Sequence, residues 1–218
     1  MPNLKRLFRV AAPPALALCA LVFVGHRAIV AADHLDAPAR TDPAVDPTPD
    51  RAADIADVYT FHDGTNVVVI LTFAGPNPAG AAATYDPNVL YRINISNDGN
   101  PATTEIPIEV RFGFDGANPG VEFRNLPGAP VIQGPVETDL QQAGYIVRAG
   151  LFDDPFFFDL QGFRDTRSTG TLSFNSGRDF FRGQNDTAIV VQMPRSRIES
   201  GGNPLDIWAD TGRIGGQL

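Results

Sequence analysis

One cysteine in 218 residues, Cys19, is the first shortage that matters, because it lies in the N-terminal stretch and leaves everything beyond it without a thiol. That excludes a disulfide framework, a thiolate nucleophile and a cysteine metal cage from the rest of the chain. There is no Gly-x-Ser-x-Gly elbow, no His-Glu-x-x-His pair and no phosphate-binding glycine loop. Histidine is almost as scarce. Beyond the N-terminal stretch that holds His26, a Ser-His-Asp arrangement would have to use His34 or His62, and His62 falls in a turn where an exposed imidazole is the default. Basic residues are few as well, 17 Lys and Arg against 25 Asp and Glu.

The N-terminus reads as an export signal. Lys5, Arg6 and Arg9 precede an apolar run from Ala11 to Gly25, and small residues at Val30-Ala31-Ala32 offer a cleavage point before Asp33. The run is interrupted by Pro13 and Pro14 and falls short of the roughly 20 apolar residues that a membrane span requires. Cys19 follows Leu18, where a lipid-anchoring cysteine would follow a small residue. The expectation is a signal peptide over 1–32, an exported chain in the periplasm or outside the cell, and no membrane span in the mature form.

Cleavage there removes Lys5, Arg6, Arg9 and Arg27 but no acidic residue. It leaves thirteen basic against twenty-five acidic groups, a formal charge of −12 over 186 residues. That length suffices for one domain with a sizeable core. The charge disfavours nucleic acid and anionic membranes as partners and suits cations, although solubility alone also selects for it.

Residues 33–56 carry prolines at 38, 43, 47 and 49, a density that excludes helix and central strand and predicts an extended acidic arm. From Asp57 the pattern turns to period two and apolar runs. Strands are predicted over 57–61, 66–73, 89–96, 106–114, about 120–125 and 129–133, 144–151, 171–174, 186–193 and 205–211. Residues 67–71 read as buried on both faces, and Asp63-Gly64 marks a hairpin turn. Helical pieces are predicted only near 136–143, 178–183 and 195–199. The fold class is all-β: a single-domain antiparallel β-sandwich over 57–218 carrying the proline-rich arm.

Three stretches carry candidate chemistry. Asp33, His34 and Asp36 open the arm, and Asp54 and Asp57 close it just before the first strand. Carboxylates offer hard oxygen ligands for Ca²⁺ or Mg²⁺, and a histidine among them also suits a transition metal; alternatively these aspartates cap turns. The second stretch is Asp153-Asp154-Pro155-Phe156-Phe157-Phe158-Asp159. Here large apolar rings sit beside carboxylates that something must neutralise, whether a metal, an N–H group or Arg164 and Arg167. In the functional reading Asp153, Asp154 and Asp159 hold an ion; in the structural reading Asp153 caps a helical turn that begins at Asp154-Pro155. The third, Asn94 to Glu105, has the spacing of a calcium loop. Asn94 and Ser96 replace its charged ligands, however, and Asp98-Gly99 favours a polar hairpin turn.

The blocks Asp33-His34-Leu35-Asp36-Ala37-Pro38, Asp54-Ile55-Ala56-Asp57-Val58-Tyr59-Thr60-Phe61 and Asp154-Pro155-Phe156-Phe157-Phe158-Asp159 resemble a family of secreted bacterial proteins. That family's domain is catalogued only as one of unknown function, number 4331. With the strand from Asn185 to Pro194 and Ile207-Trp208-Ala209, the resemblance spans most of the chain after residue 32. It implies export and an all-β domain, and it supplies no activity, cofactor or catalytic residue.

The sequence therefore supports an exported, acidic, Ca²⁺-stabilised binding or envelope module, read as non-enzymatic. Its metal ligands are expected among Asp33, His34, Asp36, Asp54, Asp57, Asp154 and Asp159, and its partner is expected to be a polysaccharide or an envelope protein. Two rivals remain. One is a metal-assisted hydrolase using the same aspartates with His34 as general acid or base. The other is a haem-binding sandwich, which would need Met193 with His34 or His62 as axial ligands.

Overall fold

The computed structural model describes residues 50–214; Asp33, His34 and Asp36 lie outside them. Ten strands form two five-stranded antiparallel sheets. They are β1 (Ile55–His62), β2 (Asn66–Pro78), β3 (Val89–Ser96), β4 (Ile106–Asp115), β5 (Asn118–Arg124), β6 (Ile132–Pro135), β7 (Leu140–Gln142), β8 (Tyr145–Asp153), β9 (Gln184–Pro194) and β10 (Asp206–Arg213). The first sheet runs β1-β2-β9-β8-β7 and the second β10-β3-β4-β5-β6. β1 adjoins β10 at one seam and β6 adjoins β7 at the other. The all-β sandwich expected from the alternation is the fold that forms.

Alternation explains the core. Val67, Val69, Leu71 and Phe73 of β2 face inward with Ile189, Val191 and Met193 of β9. Tyr91, Ile93 and Ile95 of β3 and Ile108 and Val110 of β4 come from the opposite sheet. Val68 and Ile70 lie on the other face of β2 and are only half-buried, so this strand is less enclosed than its apolar run suggests. Met193 is fully buried among aliphatic neighbours, while His62 is exposed at the end of β1.

Several local expectations are corrected. The stretch 136–143 is not helical. Ala143 (φ 52°) and Gly144 (φ 88°) both take positive φ, making the two-residue turn that folds β7 back on β8 with Gln142 opposite Tyr145. Residues 171–174 form no strand, and the principal helix, α1, covers Leu160–Thr169. It begins five residues beyond Pro155, with Asp159 rather than Asp153 at its N-cap and Gly170 in the left-handed conformation at its C-cap. A single turn, α2 (Arg195–Ile198), lies where one was expected.

The sandwich also begins earlier than Asp57. A 3-10 turn over Arg51–Ala53 buries Ala52 and Ala53, whose carbonyls accept from the Tyr91 hydroxyl and, at 2.7 Å, from Thr211 Oγ1. Arg213 pairs with Asp50 and, at 2.9 Å, with Asp86, fastening this segment to the end of β10.

Candidate functional site

Strand register brings the two most informative sequence blocks to one end of the first sheet. Ile55 pairs with Phe73, Phe73 with Thr187, and Thr187 with Leu151. The start of β1 therefore lies at the same end as the last turn of β8, from which residues 154–183 depart before returning as β9. On the outer face of this end, alternation places Thr72, Asp186 and Ala188, all withdrawn from solvent.

Asp57 sits where the β1–β2 register shifts between Ile55 and Val58. Its N–H donates to Thr72 Oγ1 at 3.0 Å, replacing a ladder bond that the irregularity removes. Such irregularities re-aim a side chain, and here the Asp57 carboxylate accepts the Tyr59 hydroxyl at 3.0 Å. Burial pushes the Tyr59 hydroxyl well above the ordinary tyrosine range. The negative charge and hydrogen bond of Asp57, and then the charges of Asp154 and Asp186, push it the same way. One phenol thus feels three carboxylates drawn from three separate parts of the chain.

Asp154 is buried. Its Oδ1 accepts from Phe156 N at 2.9 Å in a tight turn, and its own N–H donates to Gln184 O at 2.9 Å. Asp186 is fully buried, and the approach of Gly75 is so close that a Cβ there would come within 1.5 Å of Asp186 Oδ1. Asp54, Asp57, Asp154 and Asp186 all have interaction partners. Among the described residues, no group of three or more His, Cys, Asp or Glu side chains forms a metal-holding arrangement.

Asp159 belongs to a different construction. Its Oδ1 accepts from Gly162 N at 2.9 Å; its Oδ2 accepts from Asn175 N at 2.7 Å and from Arg178 Nε at 3.1 Å, with Arg178 Nη2 at 2.9 Å. Burial works against its ionisation, but the two backbone donors and the Arg178 guanidinium outweigh it and hold the carboxyl below the usual range. Its oxygens are committed to capping α1 and closing the loop behind it, and this is the role the structure assigns to it.

The phenylalanines fill the space between the helix and its return. Phe156 stacks on Phe158 (5.8 Å between centroids) and meets Phe181 edge-on (5.3 Å), while Phe158 touches Phe163 (5.6 Å) and Phe174 (6.5 Å). Phe181 is buried, but Phe157, Phe163, Phe174, Phe180 and Leu172 are exposed. A cavity of about 290 Å³ beside them is lined by Gln161, Arg178, Asp179, Phe180 and Arg182, among others.

The calcium-like stretch 94–105 is a hairpin turn satisfied by its own donors. Asp98 Oδ1 accepts from Asn100 N (2.8 Å), Ser96 Oγ (3.2 Å) and Thr103 Oγ1 (3.2 Å). These donors, led by the Asn100 N–H, hold the Asp98 carboxyl low.

Two participants escaped the sequence reading. Asp186 stands in an Asn-Asp-Thr run just before an apolar strand, which resembles an ordinary strand start. Tyr59 follows Asp57 by two residues, the spacing that shares one face of a strand, and that was the available signal. No family model, curated protein or solved structure matches the chain.

Proposed function

We propose that this chain is an exported, non-enzymatic β-sandwich module whose carboxylates at one end of the first sheet take a divalent cation, Ca²⁺, and whose exposed aromatic segment engages a polysaccharide or an envelope protein. The observation that supports the cation reading best is that strand register sets Asp57, Asp154 and Asp186 at one end of the first sheet, where the charges of all three bear on Tyr59. Carboxylates set at one end of the sheet offer oxygen ligands to a cation that binds the folded state. Asp33, His34 and Asp36 are the residues of the preceding segment that would complete the ligand set, with Asp54 beside them. Hard oxygen donors suit Ca²⁺ better than a soft metal. The fit is one of donor chemistry and chain direction.

Export is supported by the charged and apolar pattern of residues 1–32, and by the resemblance of three sequence blocks to a secreted family. The exposed phenylalanines support a binding role, since apolar clusters of this kind on a soluble domain mark interaction surfaces. The test is elemental analysis of the purified protein after dialysis against Ca²⁺, for the parent and for Asp57→Asn and Asp154→Asn. Near-stoichiometric Ca²⁺ in the parent and its loss from folded variants supports the reading. A calcium-free parent refutes it, and a folded variant that keeps its ion while losing a hydrolytic turnover would favour the metal-assisted enzyme.

A further inference from the structure

The segment 154–183 is acidic inside and basic outside. It holds four aspartates and four arginines and is formally neutral in a chain of net charge −8. Asp154 and Asp159 are buried, and Asp165 and Asp179 are half-buried; Arg164, Arg167 and Arg182 are exposed. The inward carboxylates already have donors. Asp159 takes Arg178, Asp165 accepts from Gln161 Nε2 at 2.7 Å, and Asp179 accepts from Phe181 N at 3.1 Å. No ion pair ties Arg164, Arg167 or Arg182 to a carboxylate among the described residues, unlike Arg92, Arg124, Arg148, Arg178, Arg195 and Arg213.

The outward arginines stand among the exposed rings. Arg167 lies over the face of Phe163 at 5.8 Å, and Arg164 is one residue from that ring and one helical turn from Gln161. Gln161, Phe180 and Arg182 share the wall of the 290 Å³ cavity. Arg178 lends the wall its stem, but its Nε and Nη2 are occupied by Asp159 and by the Ser173 carbonyl at 2.7 Å. The result is a recess of small-ligand dimensions lined by a flat ring, an amide and an uncommitted guanidinium, beside Asp159 and Asp179, whose carboxylates are engaged by Arg178 and by Phe181 N. Two further cations extend along the helix beyond it.

We infer that this recess and the adjoining face of α1 bind an acidic polysaccharide, one that presents carboxylates along a chain of sugar rings. The inference rests on the polysaccharide reading above and narrows it to an anionic polymer. Guanidinium groups pair with carboxylates in a planar, two-pronged geometry, and phenylalanine offers the flat apolar surface on which a sugar ring can lie. A concave site with a few aimed polar groups fits a sugar unit, which a flat lipid surface does not need. The repeated charge of the polymer matches the spread of Arg182, Arg164 and Arg167, and the rest of the acidic surface would keep the polymer at this one end.

The experiment is affinity electrophoresis of the purified protein through gels containing polygalacturonate or neutral dextran, at low and at high salt. A parallel arm uses sedimentation with phosphatidylglycerol vesicles. The expected result is retardation by polygalacturonate alone, relieved by salt. Arg182→Gln and Phe180→Ala should each weaken it about tenfold, the loss of one charge-assisted contact or one stacked ring. Arg182→Gln should retain the parent melting temperature, Phe180→Ala, whose ring meets Phe181 edge-on at 5.0 Å, is compared below its own melting temperature, and Arg124→Gln, on the far sheet, should bind as the parent does. Equal retardation by dextran would overturn the anionic specificity while leaving the polysaccharide reading in place. Retardation by neither polymer would overturn both, as would binding to vesicles alone. Unchanged retardation in folded Arg182→Gln and Phe180→Ala would remove the site from this face.

Discussion

Asp57, Asp154 and Asp159 look alike in sequence, and the structure separates them by what each carboxylate touches. Asp159 receives two backbone N–H groups and an arginine, so its charge is answered locally. Asp57 and Asp154, each with further partners, bear together with Asp186 on Tyr59. Two predictions belong here. Asp50, held low first by its hydrogen bond to Arg213, and Asp159 both have depressed folded values. A depressed carboxyl stabilises the fold above its unfolded value, near 4, and that contribution fades as pH falls through the folded value. Melting temperature should therefore drop below about pH 4, and Arg213→Ala should lose stability at neutral pH while flattening the acid limb. An acid limb identical in parent and variant would contradict the assignment. The second concerns Gly162, where a Cβ would sit 2.3 Å from Asp159 Oδ2 and 2.7 Å from the Ser173 carbonyl oxygen. Gly162→Ala should destabilise by about 1–3 kcal/mol in denaturant titration despite alanine's better helix propensity. A stabilised variant would show that the close packing around the cap is wrong.

Among the elements, the long strands were legible, while the short β7 and the helix α1 were not. Ile106, Ile108, Val110 and Phe112 alternate because β4 has one face on the core, and its register with β5 follows from that pattern. α1 shows no such period: only Leu160 and Phe163 are apolar in its ten residues, and it includes Gly162, Thr166, Ser168 and Thr169, none of them strong helix formers. Its place is fixed by its end caps and by the phenylalanines beneath it, features that propensity does not reveal. The Phe run was legible as a meeting of core and charge, but its partners Phe174 and Phe181 come from the returning loop and were invisible as contacts. Because this unit has its own small core, Phe181→Ala should loosen it selectively. Hydrogen exchange should accelerate through residues 154–183 while amides of β2 and β9 stay protected. Uniform acceleration across both sheets would mean that the unit is part of one cooperative core.

At the scale of the molecule, the sandwich was readable from alternation and turn residues, whereas strand order was not. The sequence neighbours β8 and β9 lie side by side although thirty residues separate them, and the β1–β2 hairpin meets β9 only through long-range pairing. That pairing brings the start of β1 and the Asp154 turn to one end, so the candidate site emerges from topology. Asp57 and Asp154 stood out beforehand because each breaks into an apolar context. Asp186 gave no such warning. A domain without cysteine beyond its N-terminal segment has no disulfide to steady it, and a cation bound only by the folded state would add stability that grows with the logarithm of its concentration above its dissociation constant.

The most direct measurement is therefore the melting temperature of the purified protein in chelator and across a Ca²⁺ titration, repeated for Asp57→Asn and Asp154→Asn. Ca²⁺ at a hundredfold excess over its dissociation constant should add about 2.7 kcal/mol, a rise of roughly 5–10 °C, and each variant should lose most of that rise. A melting temperature in chelator equal to that in saturating Ca²⁺ would contradict the account.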